Sequence, residues 1–442
     1  MDPLTQAQTV RRVVDRLAFG LPAHDLDALT RRGPDGAARA LLGRAAAAPT
    51  PPEFEQVPER VKGESTVAKK ARRVVLRANA VTLATWWLSQ LITSPDPARE
   101  RLTWFWHGHF ATSIQKVRLA HLMLTQNQTF RSLGGASFGP LAHALIVDPA
   151  LMVWLDAPKN RTGSPNENLA REYLELFTLG HGNYTEADVT AAARALTGFT
   201  LQRDGGTAVA TLRPRRHDSG QKTLLGRTGD LGADDVVDLA LAQPASATFV
   251  ISRLWARFVS HEPPPAAHLE RLTTAYGPER RLDRLLLALV ADPGFSSPEL
   301  SLVKEPVLWL VGLTRQLGVS ADQLAAPLKD GRTTTLAQSL LAGLAGMGQV
   351  PFRPPSVGGW PSGRGWLSSG AAATRLALAT RVAAAATPKL TGTTRARVAA
   401  TGRLLGVDAW STRTADALAG VADRPAQLVA LAACSPEYIV SR

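Results

Sequence analysis

Residues 166–199 read NENLAREYLELFTLGHGNYTEADVTAAARALTGF, and this stretch decides the fold class. Asn166 follows Pro165, which helices tolerate poorly in their interior, so Asn166 is the expected N-cap of a first helix. Glu167 then falls in the first turn, where a carboxylate suits the positive helix end. Leu169, Tyr173, Leu176 and Phe177 recur at helical spacing and form one apolar face. Gly180 is placed for a left-handed C-cap. Thr185 and Asp188 have the spacing of a capping box, with Asp for the usual Glu, and open a second helix that ends at Gly198.

The polar residues of the first helix exceed what packing needs. Glu167, Arg171 and Glu175 are spaced as an ion-pair ladder, each pair stabilising by only ~0.2–0.5 kcal/mol. Asn168, Glu172, Glu175 and Leu179 share another face. Two readings stand here: a solvated face laced with ion pairs, or a face on which Glu172 points into a polar pocket.

Working outward, the same punctuation continues. Thr5 and Gln8 have capping-box spacing, and a helix is expected from there to about Leu17. Others follow after His24 and from Gly36 to Ala48. The run from Pro49 to Pro58 is a Pro-rich connector. A long helix is expected from Thr66 to Ile92, with Lys69, Lys70, Arg72, Arg73 and Arg77 in its first half and Trp86 and Trp87 in its second. Two more helices are expected between Ile114 and Leu155, then a polar loop from Asp156 to Pro165. Residues 199–229 change character: Thr207, Val209 and Thr211 favour strand, and a small β-hairpin around Gly205-Gly206 is expected. Helices resume at Ala233, with breaks at Pro244, Pro263-Pro264-Pro265 and Pro293-Gly294. Residues 351–366, PFRPPSVGGWPSGRGW, are too rich in Pro and Gly for regular structure. Trp360 and Trp366 within them point to a loop packed onto the body. The glycines are not followed by Lys-Ser/Thr, so this is no phosphate-binding loop of the Walker type. An Ala-rich helical tail starts at Ala371. The expectation is a mainly α, multi-helix single body over 1–442, with N-terminal helices in 1–48, the connector 49–58, a helical core 66–198, the hairpin insert 199–229 and a helical half 231–442.

Composition narrows the function classes. The 442 residues carry a formal net charge of +13 and a single cysteine, Cys434. One cysteine forms neither an internal disulfide nor a thiolate cluster, which fits a reducing compartment. The arginine excess favours phosphate, sulfate or carboxylate partners. Compositional bias of a high-GC genome explains the same excess. Weak, non-specific polyanion binding is the most that the basic half of the long helix implies, because stacking aromatics are not interleaved with its charges. No stretch is long and apolar enough to span a membrane. Arg11-Arg12 resembles a twin-arginine signal, but Asp15 and Arg16 follow in place of an apolar core. With no signal peptide in view the expected location is cytoplasmic, and export with a partner stays open.

Two further polar clusters carry chemistry. In Trp104-Phe105-Trp106-His107-Gly108-His109-Phe110, the two histidines sit at i and i+2, about 200° apart on a helix, so a regular helix cannot offer both to one metal. In residues 217–222, His217, Asp218 and Lys222 lie close enough to supply a general base, a metal ligand or an anion contact.

Several motifs coincide with one family. NENLAREYLELFTLG with Tyr184, Asp188 and ARALTGF, the earlier RRVVDRLAFG and FWHGHFATS, and the later HDSGQKTLLG and PPSVGGWPSG with Trp366 resemble the bacterial domain of unknown function 1800 family, in the same order and over nearly the whole chain. Gly108 stands where Asn is common, Tyr173 where Leu is, Phe199 where Trp is and Ser356 where Asn is. The resemblance implies no settled reaction. It implies a neighbour of sulfatase-like or phosphatase-like type, the domain of unknown function 1501 family, as a partner. It also marks as matching positions His107, His109, Asn166, Glu167, Asn168, Arg171, Glu172, Glu175, Tyr184, Asp188, Arg194, His217, Asp218, Lys222 and Trp360.

Two functional readings follow. One is an enzyme, a hydrolase or an oxidoreductase, acting on an anionic or polar substrate. Its catalytic residues would be Glu172, His217, Asp218, Lys222 and Arg171. Polar support would come from His107, Asn166, Asn168, Glu175, Asp188 and Trp360. A divalent Zn, Mn or Fe would be held by His109, Glu172, His217 and Asp218, or the same residues would act metal-free with Glu172 as base. The other is a non-catalytic scaffold that binds an anionic polymer or partner protein through its basic surface.

Overall fold

The computed structural model describes residues 4–204, 207–328 and 334–441. Helix dominates, at 61%, and the only sheets among the described residues are small two-stranded antiparallel pairs. The mainly α expectation therefore holds. The capping signals explain much of it. Thr5 and Gln8 close a capping box on the helix Gln6–Ala18, and Thr185 and Asp188 close another on Glu186–Ala195. Each box satisfies two N–H groups that a bare helix end leaves without partners.

The side chains pack into two apolar clusters. One gathers the N-terminal helices with residues from 98 to 295, and the other joins the second half of the long helix Thr66–Thr93 to the C-terminal helices. The helix Pro97–His109 belongs to both. It sends Leu102, Phe105 and Trp106 into the first cluster and Trp104 into the second. Neighbouring residues of a helix point about 100° apart, so a helix held between two cores must be apolar nearly all round.

Several boundaries differ from the sequence reading. The helix expected over 36–48 is Gly33–Leu42, and residues 44–50 run on without regular structure. Four helices, not two, fill 114–155: Ile114–Val117, Ala120–Leu133, Phe138–Ile146 and Pro149–Trp154. The insert holds two hairpins, Phe199–Asp204 with Thr207–Leu212 and Lys222–Leu224 with Arg227–Gly229. The Gly205-Gly206 turn lies outside the described residues. A third pair, Leu302–Val303 with Val440–Ser441, ties the chain's end to its middle.

The deciding stretch departs most. Its first helix begins at Asn168 with Glu167 as the N-cap, so Asn166 is not the cap that was expected. Asn166 instead accepts the Asn168 N–H at 3.1 Å, a local turn before the helix. From Tyr173 to Leu179 the helix widens to π form, and the Thr178 hydroxyl donates back five residues to the Tyr173 carbonyl at 2.7 Å. The wider turn breaks the i+4 ladder. Arg171 pairs with Glu167 and Glu186, while Glu175 turns to the Tyr184 hydroxyl at 2.5 Å and to His181 at 3.4 Å. Gly180 has φ +80° but ψ 163°, so it leaves the helix extended instead of capping it in the left-handed helical region.

Candidate functional site

The site is built at the C-terminal end of Pro97–His109, where His107 and His109 leave opposite sides of the helix. His107 Nε2 accepts the Phe352 N–H at 3.0 Å, and the ring lies among Trp87, Trp104, Phe352 and Trp360. His109 faces the other core and donates Nε2–H to the Phe177 carbonyl, at 2.9 Å, near the end of the π segment. A carbonyl only accepts, so this bond assigns the proton to Nε2 and leaves the Nδ1 lone pair free. Nδ1 is buried and has no hydrogen-bond partner among the described residues. Burial pushes both histidines down to about 3, and the nearby Arg253 charge adds to the effect on His109. Both rings are neutral at neutral pH.

Around this helix end lie two adjoining cavities of about 20 Å³ each, room for one water-sized group apiece. His109, Arg253, Arg257, Arg101, Glu305 and Trp360 line the first. Asp15, Arg16, Lys304 and His261 extend the second. Glu305 takes the Arg257 guanidinium on one oxygen and Gln349 Nε2 on the other, the latter at 2.7 Å. Lys304 pairs with Asp15 at 2.6 Å. Arg16 and Arg101 reach only main-chain carbonyls and the Ser441 hydroxyl. Arg253 has no hydrogen-bond or ion-pair partner among the described residues; burial, then Arg257, pulls its guanidinium down to about 10. Both ring nitrogens of His261 and Nε1 of Trp360 are buried without partners among the described residues. Arg16, Arg101, Arg253, Arg257 and Lys304 thus face Asp15 and Glu305, and the excess is positive.

The loop 351–366 closes the cleft. Trp360 stacks on Trp104, its carbonyl accepts from Arg257 Nη2 at 3.0 Å, and Arg375 holds the Trp366 carbonyl at 3.1 Å. Trp360 and Trp366 are both buried, as the sequence led us to expect.

The residues expected to form one pocket are divided. His217, Asp218 and Lys222 do share a loop. His217 Nδ1–H donates to the Thr197 carbonyl at 3.2 Å, with Nε2 3.6 Å from Asp230. Asp218 is held bidentate by Arg194, which lowers its carboxyl to about 2. Lys222 is buried against the Asp218 and Gly220 carbonyls and the Asp230 carboxylate. Glu172 is half-buried, and its pKa is raised first by burial and then by Glu175. No hydrogen bond or ion pair among the described residues joins Glu172 or His109 to that loop. No three His, Cys, Asp or Glu side chains among the described residues lie together as metal ligands. Of the quartet His109, Glu172, His217 and Asp218, His109 stands at the end of Pro97–His109 and bonds Phe177, Glu172 closes the short helix Asn168–Glu172, and His217 and Asp218 share the loop before Lys222–Leu224. Two other matching residues staple the backbone. Asn168 Nδ2 donates to the Leu155 carbonyl, and Asp188 accepts Leu225 N–H while capping its own helix.

Sequence reasoning missed Arg101, Arg253, Arg257, His261, Glu305 and Gln349. One signal was available: Arg253 and Arg257 stand at i, i+4 on a helix with no other charge, a like-charge pair that is unfavourable without an anionic partner.

The fold and the cleft define a large, mainly helical protein with a cationic cleft walled by tryptophan. The chain belongs to the family described as Protein of unknown function (DUF1800), whose model matches residues 12–440. No curated protein and no solved structure matches it.

Proposed function

We propose that the protein recognises an anionic ligand through the cleft lined by Arg253, Arg257, Arg101 and His109. The observation that supports this reading is Arg253: a part-buried guanidinium with no bonded partner, beside the unpartnered Nδ1 of a neutral histidine. A partly desolvated cation without a counter-charge is disfavoured, and a carboxylate, sulfate or phosphate oxygen would offset that cost through charge-assisted hydrogen bonds. The small cavities take one oxygen each, so the body of a larger ligand stays outside them. His109, with its pKa near 3, is too weak a base for proton transfer at neutral pH and serves as an acceptor for a ligand hydroxyl or a bound water. If the protein is an enzyme, this is where its anionic substrate binds. Glu172 and His217 lend no support to a hydrolytic or redox step.

The test is thermal stability in phosphate, sulfate and small dicarboxylates at ionic strength matched with chloride, for the wild type and Arg253→Gln. An anion hundredfold above its Kd stabilises by about 2.7 kcal/mol. The wild type should gain that stability from at least one anion and Arg253→Gln should not. Equal gains in both proteins, or none in either, would overturn the reading.

A further inference from the structure

We infer that the projecting half of the helix Thr66–Thr93 is a docking face for an amphipathic helix of a partner protein, one with carboxylates beside its apolar seam. Three observations lead there. First, Val67, Val74 and Val81 are 78%, 59% and 48% exposed, large values for apolar side chains on a folded surface. Together with Ala71 and Ala78 they follow the alternating four-and-three spacing of a coiled-coil seam, so all five lie on one stripe. The packed face of the same helix, with Asn79 and Leu83, lies roughly opposite.

Second, the charges around this stripe have one sign. Lys70 and Arg77 border it, Arg73 and Lys69 stand further round the helix, all four are exposed, and the helix contains no Asp or Glu over its 28 residues. Arg72 alone finds a carboxylate, Glu64, which precedes the helix. Cations in the first turns oppose the helix dipole, and like charges three or four apart repel. The segment is thus locally disfavoured in the isolated protein, and acidic flanks on a partner would relieve both penalties.

Third, the stripe's chemistry selects among occupants. A second copy of this chain would bring the same cations face to face. Helices that lie in a membrane interface insert Trp, Phe or Leu, whereas this stripe holds only Val and Ala. A nucleic acid or polysaccharide would use the cations and leave the valines uncovered. An amphipathic helix uses both, with close backbone approach allowed by the alanines.

The experiment uses the full chain and a fluorescein-labelled synthetic helix with Leu and Ala at its seam positions and Glu at the flanks. A second peptide carries the same seam with Lys at the flanks. Anisotropy should show micromolar binding of the Glu peptide and none of the Lys peptide. Val74→Asp should weaken binding at least tenfold, as should the charge reversal Arg77→Glu. Val74 is exposed, so Val74→Asp should keep the wild-type circular dichroism and melting temperature. Failure of the Glu peptide to bind at low salt would overturn the inference. So would binding indifferent to Val74→Asp, or heparin competing with an affinity that depends on the cations alone; the latter would make the face a polyanion surface.

Discussion

Trp104 and Trp360 stack with ring centroids 4.9 Å apart and planes inclined by 18°, although 256 positions separate them in the chain. This contact lays the 351–366 loop over the end of Pro97–His109 and so forms one wall of the cationic cleft. It depends on a close backbone approach: a Cβ on Gly359 would sit on the Gly108 carbonyl oxygen, and Gly359 has φ +83°.

Gly359→Ala should therefore lift the loop. Strain at such a φ alone costs about 1–3 kcal/mol, and the clash adds to it. Urea denaturation should show the loss, with tryptophan emission shifted to the red as Trp360 meets water. Gly358→Ala is the control. Its added Cβ meets nothing nearer than the Ser356 hydroxyl at 3.7 Å, so the change should be tolerated. Similar effects from the two substitutions would refute the close-approach argument.

His107 and His109 should make the protein acid-sensitive. Each falls from the ordinary 6.5 to about 3 in the folded state, so the unfolded chain binds more protons between those values. Their stabilisation is fully present above about pH 6.5 and is lost as pH falls toward 3, by up to ~1.4 kcal/mol per pH unit for each ring. Asp148 works the other way. Burial raises it to about 7 despite hydrogen bonds from Gln126 and Leu151, and its contribution is lost as pH rises from about 4 to 7. The stability difference between wild type and His109→Asn isolates one ring. Measured by urea denaturation from pH 7.5 to 4, that difference should shrink with acid below about 6.5. A pH-independent difference would mean that His109 is not held neutral.

Arg257 and Glu305 should be strongly coupled. Both have little solvent exposure, and Gln349 completes the carboxylate's bonding. Glu305→Ala leaves a guanidinium and an amide unpaired and should cost ~3–5 kcal/mol, whereas replacing both partners with Met should cost less than the sum of the single changes. A double-mutant cycle in urea checks this, with additivity as the result that would deny the coupling.

What the sequence alone determined is local. Thr5, Gln8, Thr185 and Asp188 start their helices because a side-chain oxygen three residues from a free N–H satisfies it whatever the rest of the chain does. The breaks at Pro244 and Pro293, the β character of the insert, the burial of Trp360 and Trp366 and the family membership were legible for the same reason: each rests on neighbouring residues or on a motif. The π widening at Tyr173–Leu179 was not legible, since it depends on what packs against the helix, and with it the expected Arg171–Glu175 pairing gave way to Glu186 and Tyr184. Nor was the membership of the site. His109 meets Phe177, Arg257 meets Glu305, and Trp360 meets Trp104 across 68, 48 and 256 positions. No periodicity encodes such distances. Only the packing of two cores on either side of Pro97–His109 decided that the arginines, and not Glu172 with His217, would share a cleft with His109.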